Sequence, residues 1–255
     1  MRTRCFVVLA LLSVGCAAAR VRRHKDPLVA QLAAADALWE RRAEVGGFDQ
    51  ALGALVNILP GAPNDPRLLY RLSRAQWVAG RIASDDALSQ FEAGRAYGFR
   101  CLLANPGFAE ASHRAGDRID AAAVAALTDA DVPCVAWAVA NAVATVETRG
   151  PGSALRLEDL AGAVEAARGR SGVTTNGMLE WDAAKLILLN PSATGREDAR
   201  ASLQAAIKAA PTNGVFRHAL ATDFPDAADA AWEGWVEGEY VLEERGSTPR
   251  TEAAP

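Results

Sequence analysis

Aromatic residues make up only 6% of this 255-residue chain, and histidine, cysteine and methionine number three, four and two. His24, His113 and His218 stand far apart in sequence, and so little imidazole and thiol leaves scant material for a metal cluster. Positive charge is not in excess. A net charge of −4 and a pI near 5.5 argue against a phosphate-binding surface, and so against nucleic acid as the main partner. The glycines of Gly169 to Gly177 lack the Lys-Ser/Thr of a phosphate loop, and no GxSxG turn is present for a hydrolase nucleophile. Neither Cys101 nor Cys134 belongs to a CxxC pair, which speaks against a redox enzyme. Hairpin signals and alternating strand patterns are also missing. Ser112, His113 and Asp117 lie close in sequence, but a solvated polar helix end is the better reading of them. The chain carries no convincing catalytic constellation, and no cofactor or metal is expected.

What is present is half apolar, rich in alanine and 23% charged, which suits a folded helical protein. The start, MRTRCFVVLALLSVGC, has Arg2 and Arg4 before an apolar run too short to span a bilayer. It reads as a secretory signal. Leu12-Ser13-Val14-Gly15-Cys16 resembles a bacterial lipobox, with small Gly15 before the cysteine and Leu12 one place earlier than usual. Residues 1–15 then form the signal peptide, and Cys16 is the lipidation site. The alternative is an ordinary signal cut near Ala17 to Ala19. Residues 16–27 form a basic tether (Arg20, Arg22, Arg23, Lys25) suited to a solvated linker or to anionic headgroups. Ala17 is not an acidic retention signal, which leans the anchor towards the outer membrane, facing the periplasm. In such a compartment Cys101 and Cys134 are candidates for one disulfide, the alternative being two small buried thiols on separate helices.

Residues 28–245 carry helical periodicity. Leu32, Ala35, Leu38 and Trp39 advance by three and four until Gly46-Gly47, and Leu52, Leu55, Val56 and Leu59 repeat the spacing before Pro60. Asn64 or Asp65 caps the next helix, with Pro66 in its first turn. The segment Gly47 to Gly80 has the layout of a tetratricopeptide (TPR) unit and its successor. Phe48, Ala51, Leu55 and Ile58 take second-helix packing positions, Pro63 the closing turn, and Leu69, Leu72 and Ser73 the next first helix. Degraded copies end at Asn105-Pro106, Asn190-Pro191 and Pro211, at unequal spacings. The fold class is therefore all-α: an irregular TPR-like stack of about eleven or twelve helices in pairs, least regular between Gly107 and Arg170. Val132, Val135, Ala136, Val139, Val143 and Val146 predict a helix despite their valine content. Residues 246–255 have no apolar period and are expected to be disordered.

Counting from Pro63, the groove-lining turns of the second unit present Arg67, Tyr70, Arg74 and Trp77. Such an aromatic-plus-arginine ladder suits partner binding. The alternative places Trp77 in the core and pairs the arginines with Asp36, Glu40 and Glu44. Trp232 and Trp235 share one face of the last helix and suit a capping-helix core.

The lipobox, LWERR (Leu38 to Arg42), RLSRAQWVAG (Arg71 to Gly80), FEAGRAYGFRCLLANPGF (Phe91 to Phe108) and AIKAAPTNGVFRHALATDF (Ala206 to Phe224) together resemble the TatT family. These are TPR-like lipoproteins associated with tripartite ATP-independent periplasmic (TRAP) transporters. The resemblance is weaker in the middle, where the usual tryptophan helix corresponds to VAWAVANAVATV with Trp137. It implies a non-enzymatic periplasmic adaptor that binds the transporter's solute-binding protein, self-associates, and forms a cavity or pore for hydrophobic ligands. The other reading is a structural TPR scaffold in cell-envelope assembly.

Overall fold

A computed structural model describes residues 26–83, 85–150, 155–170, 175–190 and 195–232. Cys16, the lipobox, the basic tether up to Lys25, Trp235 and the tail fall outside these residues. Among the described residues there are twelve α-helices, short 3-10 turns and no strand, with helix pairs packed in a stack. The helices are α1 (Pro27–Trp39), α2 (Gly47–Ile58), α3 (Pro66–Ile82), α4 (Ala87–Leu103), α5 (Pro106–Arg114) and α6 (Ala121–Ala125). Then follow α7 (Val132–Arg149), α8 (Leu157–Arg168), α9 (Met178–Leu189), α10 (Arg196–Ala209), α11 (Gly214–Asp223) and α12 (Ala228–Trp232). No helix of the described residues is long and apolar enough to cross a membrane.

The helix starts follow from local chemistry. Asp26, Asp65 and Asn105 each precede a proline and accept a backbone N–H of the first turn, from Leu28, Arg67 and Gly107 respectively. The proline gives up no useful donor there, because a first-turn N–H has no partner inside the helix. Each such cap stabilises its helix by about 1 kcal/mol. Of the two candidates before Pro66, Asp65 is the cap, and Asn105-Pro106 both ends α4 and opens α5. Gly46 stops α1's trailing turns in the left-handed region, at φ 72°.

Two pairs open the stack, α1 with α2 and α3 with α4, as the repeat spacing predicts. Phe48, Ala51, Leu55 and Ile58 of α2 are buried, as are Leu69, Leu72 and Ser73 of α3. The third layer departs from expectation. A regular array would lay α5 across the second pair, but it is α7 that packs against both α3 and α4. Helices α5 and α6 form a short excursion that reaches α8 instead. Among the described residues from Gly107 to Arg170, where irregularity is expected, α5 and α6 are the helices that leave the pairwise order.

Helix α7 is the centre of the molecule, touching α3, α4, α8 and α9. Its sequence VPCVAWAVANAVATVETR is apolar nearly all round, and its residues from Cys134 to Val146 are buried except Trp137. A helix without a polar face is stable only when neighbours cover it on every side. Close approach of α4 to α7 depends on Gly94 and Gly98, one turn apart. A Cβ at Gly98 would stand 2.7 Å from Ala138 Cα, and one at Gly94 would stand 2.1 Å from Asn141 Oδ1. Asn141 is fully buried and its Nδ2 donates to Ser73 O at 3.0 Å and to Trp137 O at 2.8 Å. Ser73 Oγ donates in turn to Gly94 O at 2.8 Å, so one polar cluster joins α3, α4 and α7. A disulfide between Cys101 and Cys134, with Cα atoms 5.8 Å apart, fastens the same two helices.

Candidate functional site

The ladder of Arg67, Tyr70, Arg74 and Trp77 does not form one open face. Helix α1 runs beside α3 in the same direction and covers these side chains in order. Arg67 is exposed and bonds Asp26 Oδ2 at 2.9 Å and Asp65 Oδ2 at 2.8 Å, and these hydrogen bonds raise its pKa further. Arg71, one position beyond Tyr70, makes a fork with Asp36 at 2.7 and 2.6 Å. Tyr70 is half-buried under the Arg71 guanidinium, 4.7 Å from the ring centroid. Arg74 lies 4.0 Å over the Trp39 ring, and burial pushes its guanidinium down to about 10. Trp77 is 0% exposed, with Trp137 and Trp181 rings 5.8 and 5.6 Å away. The four residues therefore line a packing seam, in which Arg67 is exposed, Tyr70 and Arg74 are partly covered, and Trp77 lies in the core, as the alternative reading of it has it. The reason is the parallel placement of α1, whose carboxylates and Trp39 occupy the groove.

Beyond Trp77 the seam continues as a chain of alternating charges across α3, α7, α9 and the end of α11. Arg81 Nη2 meets Glu147 Oε2 at 3.0 Å, Lys185 Nζ meets Glu147 Oε1 at 2.9 Å and Asp223 Oδ2 at 3.1 Å. Burial alone would raise the Glu147 pKa, but the charges of Arg81 and Lys185 outweigh it and hold the carboxyl below its ordinary value. Burial would likewise lower Lys185, and Glu147 and Asp223 overcome it. Asp182 is different: fully buried, with neither carboxylate oxygen hydrogen-bonded, it is pushed well above the usual range by burial and then by Glu180 and Glu147. Sequence reasoning missed this chain. Its members lie on helices dozens of residues apart, and each reads as an ordinary surface charge.

Ser112 and His113 do not converge. Ser112 Oγ is buried and donates to Arg118 O at 2.7 Å, while the His113 side chain is 85% exposed, with Nδ1 3.4 Å from Asp117 Oδ1. Trp232 is also unlike a core residue, being 37% exposed while neighbouring Ala231 is fully buried.

A roomier concavity than this seam offers lies elsewhere among the described residues. A cleft of about 580 Å³ opens between α4, the α5–α6 loop, α7 and the start of α8. Phe99, Ile119, Ala142, Leu155 and Leu160 give it apolar walls, and Arg95, Arg118 and Arg156 surround them. Arg118 and Arg156 both turn to Asp159, at 3.2 and 3.4 Å. The rim loop is held in one shape. Gly116 and Asp117 are both left-handed, at φ 78° and 57°, and Arg118 Nε closes onto Ala115 O at 2.5 Å. A second pocket, about 200 Å³, carries Arg168 and Arg170, each already paired, with Glu165 and Asp129. Volumes of about 300–1,000 Å³ with apolar walls and a few polar groups are typical of small-molecule sites, so the first cleft is the candidate site.

Comparison with protein-family models, with curated proteins and with solved structures found no match for this chain.

Proposed function

We propose that this protein is a lipid-anchored, TPR-like adaptor of the bacterial cell envelope, associated with a TRAP-type solute transporter and binding its solute-binding protein. It acts by binding rather than by catalysis, facing the periplasm from an anchor at Cys16, with the outer membrane the favoured attachment. The observation that carries the reading is the Cys101–Cys134 disulfide inside a stack of helix pairs. A disulfide between buried cysteines favours an oxidising compartment over the cytosol, and stacked helix pairs are built to present surface to other proteins. The lipobox supports the anchor, and the ordered TatT-like segments support the transporter.

Affinity purification of the tagged, lipidated protein from native envelopes tests the assignment, with a Cys16→Ala form run in parallel. Recovery of a TRAP solute-binding protein, and release of the Cys16→Ala form from membranes, is the expected result. Recovery of outer-membrane assembly factors in its place overturns the transport assignment in favour of a structural scaffold. A Cys16→Ala chain that stays acylated removes the anchor.

A further inference from the structure

We propose that the cleft between α4 and α8 binds an organic carboxylate with an apolar body, held through its charged end by Arg95. Three features of the cleft lead there. The first is Arg95 itself: half-buried on the wall of the cleft, it has no hydrogen bond, ion pair or ring contact among the described residues. Its neighbours along the same helix are all engaged. Glu92, one turn before it, pairs with Arg149, and Arg100 donates to Pro63 O at 2.5 Å. A guanidinium beside apolar walls, with no partner among the described residues, offers its fork of donors to an incoming anion.

The second feature is the balance of charge around the walls. Asp159 is the carboxylate that faces the cleft from α8, and Arg118 and Arg156 both hold it. Asp117 on the rim is strongly exposed beside His113, leaving Arg95 without a counter-charge from the lining. In the smaller pocket near α9 both arginines are paired, so charge complementarity selects the cleft and not that pocket.

The third feature is the apolar lining. Phe99, Ile119, Ala142, Leu155 and Leu160 offer a hydrocarbon or aromatic body burial that a bare anion has no use for. One free guanidinium matches one carboxylate, which it pairs bidentately. The α5–α6 side of the rim is fixed by Ser112 Oγ on Arg118 O and by the left-handed Gly116-Asp117 pair, so that wall is formed before a ligand arrives. The same bond explains why Ser112 is buried and polar.

This inference deepens the adaptor reading by giving it a ligand class, and rests on that reading for the biological role alone. Isothermal titration of the purified protein with decanoate tests it, with 1-decanol and inorganic phosphate as comparison probes. Saturable decanoate binding is expected, at least about tenfold weaker in Arg95→Gln, which loses the charge-assisted fork. Ala96→Trp, at an exposed position on the same wall, should also block it, and circular dichroism checks that both variants fold. Absence of saturable decanoate binding overturns the proposal, as does equal affinity in both variants. Equal affinity for 1-decanol reduces the cleft to an apolar groove, and full competition by phosphate reduces it to a general anion site; either result overturns it. These outcomes are independent of the envelope purification, which can fail while decanoate still binds.

Discussion

The guanidinium of Arg74 lies 4.0 Å above the Trp39 ring, joining the end of α1 to the middle of α3. Arg42 approaches the same ring at 4.9 Å, so the indole is flanked by two cations. A stacked, buried guanidinium contributes chiefly by packing and cation–π attraction. This contact, with the enclosure of Trp77, turns a surface that suits partner binding on paper into a seam between repeats.

The seam predicts stability effects in place of binding effects. Trp77→Ala should cost about 3–5 kcal/mol, the range for removing a buried aromatic side chain. Arg74→Ala should cost about 1–2 kcal/mol through the lost stack on Trp39. Urea unfolding measures both. Partner affinity per folded molecule should stay at the wild-type level, and a fall in affinity without a fall in stability would return these residues to an interface.

Two glycines separate close approach from mere flexibility. Gly98→Ala places a Cβ 2.7 Å from Ala138 Cα, forcing α4 and α7 apart at a cost of about 1–3 kcal/mol or more. Gly53, inside α2, has nothing within 4 Å of a built Cβ. Gly53→Ala should therefore stabilise by about 0.4–1 kcal/mol, by restricting the unfolded chain. Thermal melts that shift both variants in the same direction would contradict this account.

The disulfide closes a loop with a sequence separation of 33. Loop-closure entropy then assigns it about 3–4 kcal/mol, with native strain left out of that figure. Unfolding of the Cys101→Ser, Cys134→Ser double variant, or of the wild type under reductant, should show a loss of that order. Equal stability of oxidised and reduced protein would reject it.

Glu147 and Asp182 give folding opposite dependences on pH. The folded pKa of Glu147 is depressed, so its stabilisation is present above its ordinary value of 4.5 and is lost as the pH falls. That of Asp182 is raised, so full stability belongs below its ordinary value of 3.8, and stability declines as the pH climbs towards the raised value. Glu147→Gln should cost about 3 kcal/mol at neutral pH, because it leaves Arg81 without its carboxylate and Lys185 with Asp223 alone. Asp182→Asn should be more stable than wild type at neutral pH and converge with it in acid. A urea series from pH 3 to pH 8 reads both limbs, and unchanged slopes in the variants would count against these assignments.

Much of the first half was legible in the sequence because its signals are local. Asp65 before Pro66, the glycine pair at Gly46-Gly47, and the three-and-four spacing of Phe48, Ala51, Leu55 and Ile58 each act within a few residues. A cap or an apolar stripe carries its meaning wherever the helix finally packs. The helical reading of Val132 to Val146 succeeded for the same reason, since a long run without turn residues outweighs the β preference of valine.

The sequence by itself determined that the chain is helical, that α3 begins at Pro66, and which faces of α2 and α3 turn inwards. Only the tertiary structure decided that α7 supplies the third layer, that Cys101 meets Cys134, and that Arg81, Glu147, Lys185 and Asp223 form one chain of charges. It also decided which arginines are spent on carboxylates and which one, Arg95, is left facing a cleft. Helix formation rests on contacts three or four residues apart, whereas pairing of charges and assignment of faces depend on which helices become neighbours. Neighbourhood here depends on Gly94 and Gly98 admitting α7 against α4, a fit of shape that spacing alone does not encode.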